Sequence, residues 1–123
     1  MIEEKILSYL NNNLEPTTYM EQPKQKLARF YLLERTAGGE TNHINDGSFI
    51  VQSYAPTLFE ASRMNNAMIK VFQSLIELPE ITRVVLNSSY NYTDPATQQY
   101  RFQANFVVTY YEERTNEDGK CSI

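Results

Sequence analysis

The sequence predicts an α+β fold: a two-layer domain in which an antiparallel β-sheet carries two α-helices packed on one face. Three observations predict it. The patterned stretches follow the order helix, β, β, β, helix, β, β, without the repeated βαβ alternation of a doubly wound parallel sheet. Residues 57–75 carry a capped, helix-periodic apolar face. Residues 100–110 alternate as a strand buried on one side.

The first helix is predicted from Ile2 to Leu14, where Ile2, Ile6, Leu7, Tyr9, Leu10 and Leu14 recur at three- and four-residue spacings. Glu3 and Glu4 suit the positive end of its macrodipole, and Asn11-Asn12-Asn13 followed by Pro16 stops it. Thr17–Gln22 lies between prolines and reads as a short edge strand or extended arm. Leu27–Thr36 has apolar side chains on both faces (Leu27, Phe30, Tyr31, Leu32, Leu33), the pattern of a strand covered on both sides. Ala37-Gly38-Gly39 is expected to close that strand. A polar loop at 37–47 follows, with His43 and Asp46-Gly47, before a strand resumes at Ser48–Tyr54.

Thr57 and Glu60 have the spacing of a capping box at the start of the second helix. Ala61, Met64, Ala67, Met68, Val71, Phe72 and Leu75 then follow one face, and Pro79 is the expected stop. Ile81–Leu86 is a strand. Asn87–Gln99, with Asn91, Asp94 and Pro95, is expected to be a long hairpin tip. In the last strand Tyr100, Phe102, Ala104, Phe106, Val108 and Tyr110 face inward. Arg101, Gln103, Asn105 and Thr109 face outward, with Val107 an apolar exception. The expected organisation is one domain over residues 1–111 and a polar, mobile tail over 112–123.

Composition narrows the function. The chain has 123 residues, 11 Lys+Arg against 15 Asp+Glu, and a net charge of −4, which argues against a general nucleic-acid or anionic-membrane binder. A single cysteine, Cys121, removes an internal disulfide and any Cys-x-x-Cys site, and a single histidine removes a multi-histidine metal site. No apolar run reaches the roughly 18–20 residues of a membrane span, and Met1-Ile2-Glu3-Glu4 does not open a signal peptide. The chain therefore reads as a cytosolic protein or one assembled there.

Catalytic constellations are weak. No Gly-x-Ser-x-Gly elbow surrounds Ser48 or Ser53, so His43 reads as an exposed loop histidine. Cys121 lies among Glu112, Glu113, Glu117 and Asp118, the wrong charge for a reactive thiolate. Gly38-Gly39 lacks the remainder of a P-loop. The expectation is no enzyme, no metal and no cofactor. Asn87-Ser88-Ser89 and Asn91-Tyr92-Thr93 match the glycosylation pattern, a short and common one. Tyr90 and Tyr92, outside the alternating core, mark an interface or fold back over the end of the sheet. Stacking on single-stranded nucleic acid is disfavoured, because the 87–99 segment holds Asp94 and no Lys or Arg.

Several segments carry a resemblance: Leu33-Glu34-Arg35-Thr36-Ala37-Gly38-Gly39, then Phe49–Tyr54 with Gln52, a helix with early Ala61, and Tyr100-Arg101-Phe102 opening the last strand. In this order and length the chain resembles the tail-terminator or head–tail joining proteins of long-tailed bacteriophages, often described as minor capsid or minor tail proteins. The resemblance spans residues 1–111. It implies a structural virion component, assembled in the host cytoplasm, that caps the head-proximal end of the tail tube as a six-fold ring. The implied partners are further copies of the chain, the tail-tube protein and a head-completion or connector protein. DNA would pass through the lumen without specific binding, with acidic lumen residues repelling it. Interface residues expected on this basis are Arg35, His43 and Asp46 around the first tip, and Tyr90, Tyr92, Asp94 and Arg101 around the second. Arg35 and Arg101 suit bidentate pairing with a carboxylate, either of a neighbour or within the chain. The alternatives are a head-side connector or minor capsid role in the same particle, or a host module that binds peptides along an edge strand.

Overall fold

Helix α1 (Ile2–Asn13) turns Ile2, Ile6 and Leu10 into the core, as its three- and four-residue spacing dictates. The computed structural model describes residues 2–41, 44–96 and 99–111. After α1 come β1 (Thr18–Tyr19), β2 (Phe30–Thr41), β3 (Ile44–Ala55), α2 (Leu58–Gln73), a 3-10 turn (Ser74–Glu77), β4 (Ile81–Asn91) and β5 (Tyr100–Tyr111). The five strands form one sheet in the order β1-β2-β3-β5-β4. β1 runs parallel to β2, and the other neighbours are antiparallel. The helices lie on one face. This is the predicted α+β architecture, with one parallel pair added at the edge.

The core sits between the helices and the sheet. Tyr31, Leu33, Phe49, Val51, Ala104, Phe106, Val108 and Tyr110 from the sheet meet Ile6, Leu10, Met68, Phe72 and Leu75. Phe72 stacks on Phe106 with ring centroids 3.9 Å apart. Each large side chain here contributes about 1.5–3 kcal/mol by leaving water. A smaller cluster on the opposite face, Phe30, Leu32 and Tyr54, is covered by Tyr19 and Leu27. This explains why β2 is apolar on both sides: the 20–29 connection crosses over its first half. That crossing also makes β1 parallel to β2, with the Asn11 side chain clamping the backbone N–H and C=O of Thr18 at 2.7 and 3.1 Å.

Four expectations are corrected. The 37–47 segment is not a long polar loop. β2 continues to Thr41 and β3 begins at Ile44, with Gly38 opposite Gly47 and Gly39 opposite Asp46. β5 pairs with β3 as far as Ile44↔Tyr111, so the extension of β2 adds to a strand already held in place. Gly38 and Gly47 serve space rather than turning. A Cβ on Gly47 would lie 2.7 Å from the Phe49 ring, and one on Gly38 would collide with the Arg35 guanidinium. Secondly, the second tip is shorter than 87–99. β4 runs through Asn91, with register shifts between Ile81 and Arg83 and between Leu86 and Ser88 that reset its alternation. Thirdly, α2 ends at Gln73 and tightens into the 3-10 turn well before Pro79, still burying Leu75. Lastly, the capping box is half formed. Thr57 Oγ1 accepts from the Glu60 backbone N–H at 3.2 Å, but the Glu60 carboxylate takes Arg29 Nη2 at 2.8 Å.

Candidate functional site

The face of the sheet away from the helices carries an organised polar surface. Pairing register places Gln52, Gln103 and Tyr90 on one transverse row, and Ile50, Asn105 and Ser88 on the next. Directly opposed residues share a face, so these side chains meet above the backbone. They form a continuous lattice. Tyr54 OH donates to Gln52 Oε1 at 2.7 Å, Gln52 Nε2 donates to Gln103 Oε1 at 2.9 Å, and Gln103 Nε2 donates to Tyr90 OH at 2.7 Å. Asn105 Nδ2 donates to Ser88 Oγ at 2.7 Å. Gln52 and Gln103 each have a donor and an acceptor engaged, which holds their side chains in place.

Arg101 closes one end. Its Nε donates to the Tyr92 carbonyl at 2.7 Å and its Nη1 to Tyr54 OH at 3.0 Å. The guanidinium lies over the Tyr92 ring, 4.7 Å from its centroid, and 5.7 Å from that of Tyr54. Tyr90 and Tyr92 pack edge to face at 5.9 Å. Both remain well exposed, as does Tyr111 at the far end of β5, where the alternation of the strand places it on this same face. Between the two ends lie Ile50, Val85 and Val107, all half-buried. The groups of this lattice are amides, hydroxyls, tyrosine rings and a guanidinium. They recognise by hydrogen bonding and stacking.

The expected interface residues fall in different places. Tyr90, Tyr92 and Arg101 converge at one end of the face. Tyr90 belongs to β4 rather than to the tip. Asp46 lies in β3, not in a loop, and its Oδ1 accepts from Thr109 Oγ1 at 2.8 Å. Asp94 bridges to Gln99 and accepts from the Ala96 N–H at 2.9 Å, so it shapes the tip. Arg35 pairs within the chain, donating to Glu3 Oε1 at 2.9 Å and to Tyr110 OH at 3.0 Å. Its partial burial pulls the guanidinium pKa down, but Tyr110 and Glu3 together outweigh this and leave it above the usual value. Of the two pairings open to Arg35, the intrachain one is present. His43, Cys121 and the 112–123 tail lie outside the described residues.

Sequence reasoning passed over the lattice itself: Gln52, Tyr54, Gln103, Asn105 and Ser88. The signal was the outward run Arg101, Gln103, Asn105 on a strand that turned out to be paired on both sides. Across the rows Gln103 meets Gln52 and Tyr90, and Asn105 meets Ser88.

Among the described residues no group of three or more His, Cys, Asp or Glu side chains is placed to hold a metal ion. No helix among them is long and apolar enough to cross a membrane. No protein-family model matches the chain, and no curated protein matches it in sequence.

Proposed function

We propose that this chain is a structural assembly protein of a long-tailed phage particle, capping the head-proximal end of the tail tube and joining it to the head. The observation that carries the reading is the rigid hydrogen-bonded sheet face, rimmed by exposed Tyr90, Tyr92 and Tyr111. Tyrosine and arginine are the residues that dominate protein–protein contacts, and a pre-ordered surface loses little side-chain entropy on docking. The resemblance in residues 33–39, 49–54 and 100–102 supplies the particle. On this reading copies of the chain form a ring by interfaces that close through rotation. The sheet face meets a tail-tube or head-completion protein, and DNA slides past acidic lumen groups.

The test is electron microscopy of particles made with this gene disrupted. Over-length or ragged tails beside unattached heads are the expected result. Normal-length tails beside separate, leaking heads would move the protein to the head side of the joint. Fully assembled, infectious particles would overturn the virion role.

A further inference from the structure

The open face is self-complementary, and we infer that two copies of this chain pair through it in solution, Asp46 of each on Arg83 of the other. Asp46 in β3 and Arg83 in β4 are both opposite Thr109 of β5, so the three lie on one transverse row with Thr109 in the middle. Acid and base thus stand about 4.8 Å to either side of β5. Both are exposed, and neither makes an ion pair among the described residues.

A two-fold axis running over β5, between two facing sheets, places the left flank of one copy on the right flank of the other. Asp46 then meets Arg83 twice, once at each symmetry-related position. The same operation sets Ser48 on Val85 and Ile50 on Ser88, and Val107 on its own copy. Val107, the apolar exception on the outward side of β5, acquires a reason: it is the point where the two β5 strands cross. Sheets stack about 10 Å apart, a gap that an aspartate and an arginine side chain span together. Aligned sheets cross at about 30°. Arg101 is six residues, about 20 Å, from the crossing, so the two Arg101 guanidinia stand about 10 Å apart there, separated rather than opposed.

The footprint is three strands wide and about eight residues long, roughly 14 by 27 Å. That is at the low end of interface sizes, so the pair is weak and concentration-dependent. It uses the surface that the proposed function gives to the tail or head, and so goes beyond that reading: the paired form is one that a tail end must displace.

The test is sedimentation equilibrium of the purified full chain from micromolar to millimolar concentration. The mass is expected to rise from 14.3 kDa toward twice that value. Asp46→Arg and Arg83→Asp each weaken the pair about tenfold or more, because both ion pairs become repulsive. Two results are then specific to the reciprocal arrangement. An equimolar mixture of the two variants regains the dimer, and so does the double variant D46R/R83D. A chain that stays monomeric throughout would overturn the pairing, as would a dimer indifferent to either reversal or a mixture that fails to recover. Purified protein reports on the pair alone: a monomer leaves the tail-capping role standing, and intact particles from the disrupted gene would remove that role while leaving the pair.

Discussion

If the lattice on the open face acts as one unit, the Gln52 and Gln103 side chains that meet in it are energetically coupled. Gln103 is 7% exposed and bonds to Gln52 at 2.9 Å and to Tyr90 at 2.7 Å. Gln103→Leu removes both bonds, at about 1 kcal/mol net each, and the buried leucine side chain returns part of that. The expected loss is about 1–2 kcal/mol. Gln52→Leu removes the shared bond and the one from Tyr54 OH at 2.7 Å, with a similar loss. Each single change also strands the amide of the other glutamine. Replacing both removes that penalty, so the double variant is expected to lose about 1 kcal/mol less than the sum of the singles. Urea unfolding of the four proteins measures this coupling. Losses that add to within about 0.3 kcal/mol would refute a coupled lattice and reduce the face to independent surface amides.

Other consequences follow from the same packing. Gly47→Ala is expected to cost about 1–3 kcal/mol, since its Cβ would enter the fully buried Phe49 ring at 2.7 Å, whereas Gly39→Ala meets nothing within 4 Å and should leave stability within about 0.5 kcal/mol; thermal unfolding of the pair separates space from turn geometry. Burial pushes the Tyr31 phenol from 10.0 up to about 12, and its hydroxyl donates to the Met64 carbonyl at 3.1 Å. A raised folded pKa means that this stabilisation is complete below about pH 10 and is lost as pH rises toward 12. Tyr31→Phe should therefore flatten the stability profile across that window, although it lowers stability at neutral pH. An unchanged alkaline slope would refute the assignment.

How far the sequence could be read depended on whether a residue's role was local. The α2 start was legible because Thr57 acts on its own first turn, and β5 was legible because one face is core from Ala104 to Tyr110. The 37–47 segment was misread because Gly38, Gly39 and Gly47 look like turn residues. For Gly38 and Gly47 the actual constraint is the room needed by Arg35, Phe49 and Tyr110, which only tertiary packing reveals, while Gly39 has open space around it. Glu60 had the right spacing for the box, yet Arg29 from a distant segment took its carboxylate. Within the site, Tyr90, Tyr92 and Arg101 stood out as residues whose chemistry exceeds a core role. The amides joining them did not, because Gln52 and Gln103 are 51 positions apart and acquire meaning only through register.

On the proposed reading, the open sheet face docks the particle's head and tail together. The direct measurement is electron microscopy of particles complemented with Tyr92→Ser/Tyr111→Ser, beside a helix-face control, Lys70→Ala. Both tyrosines are 47% exposed, so the fold is expected to survive their loss, which circular dichroism of the purified variant checks. Separated heads and tails are expected with the tyrosine variant and joined particles with the control. Joined, infectious particles made with a folded tyrosine variant would contradict that reading.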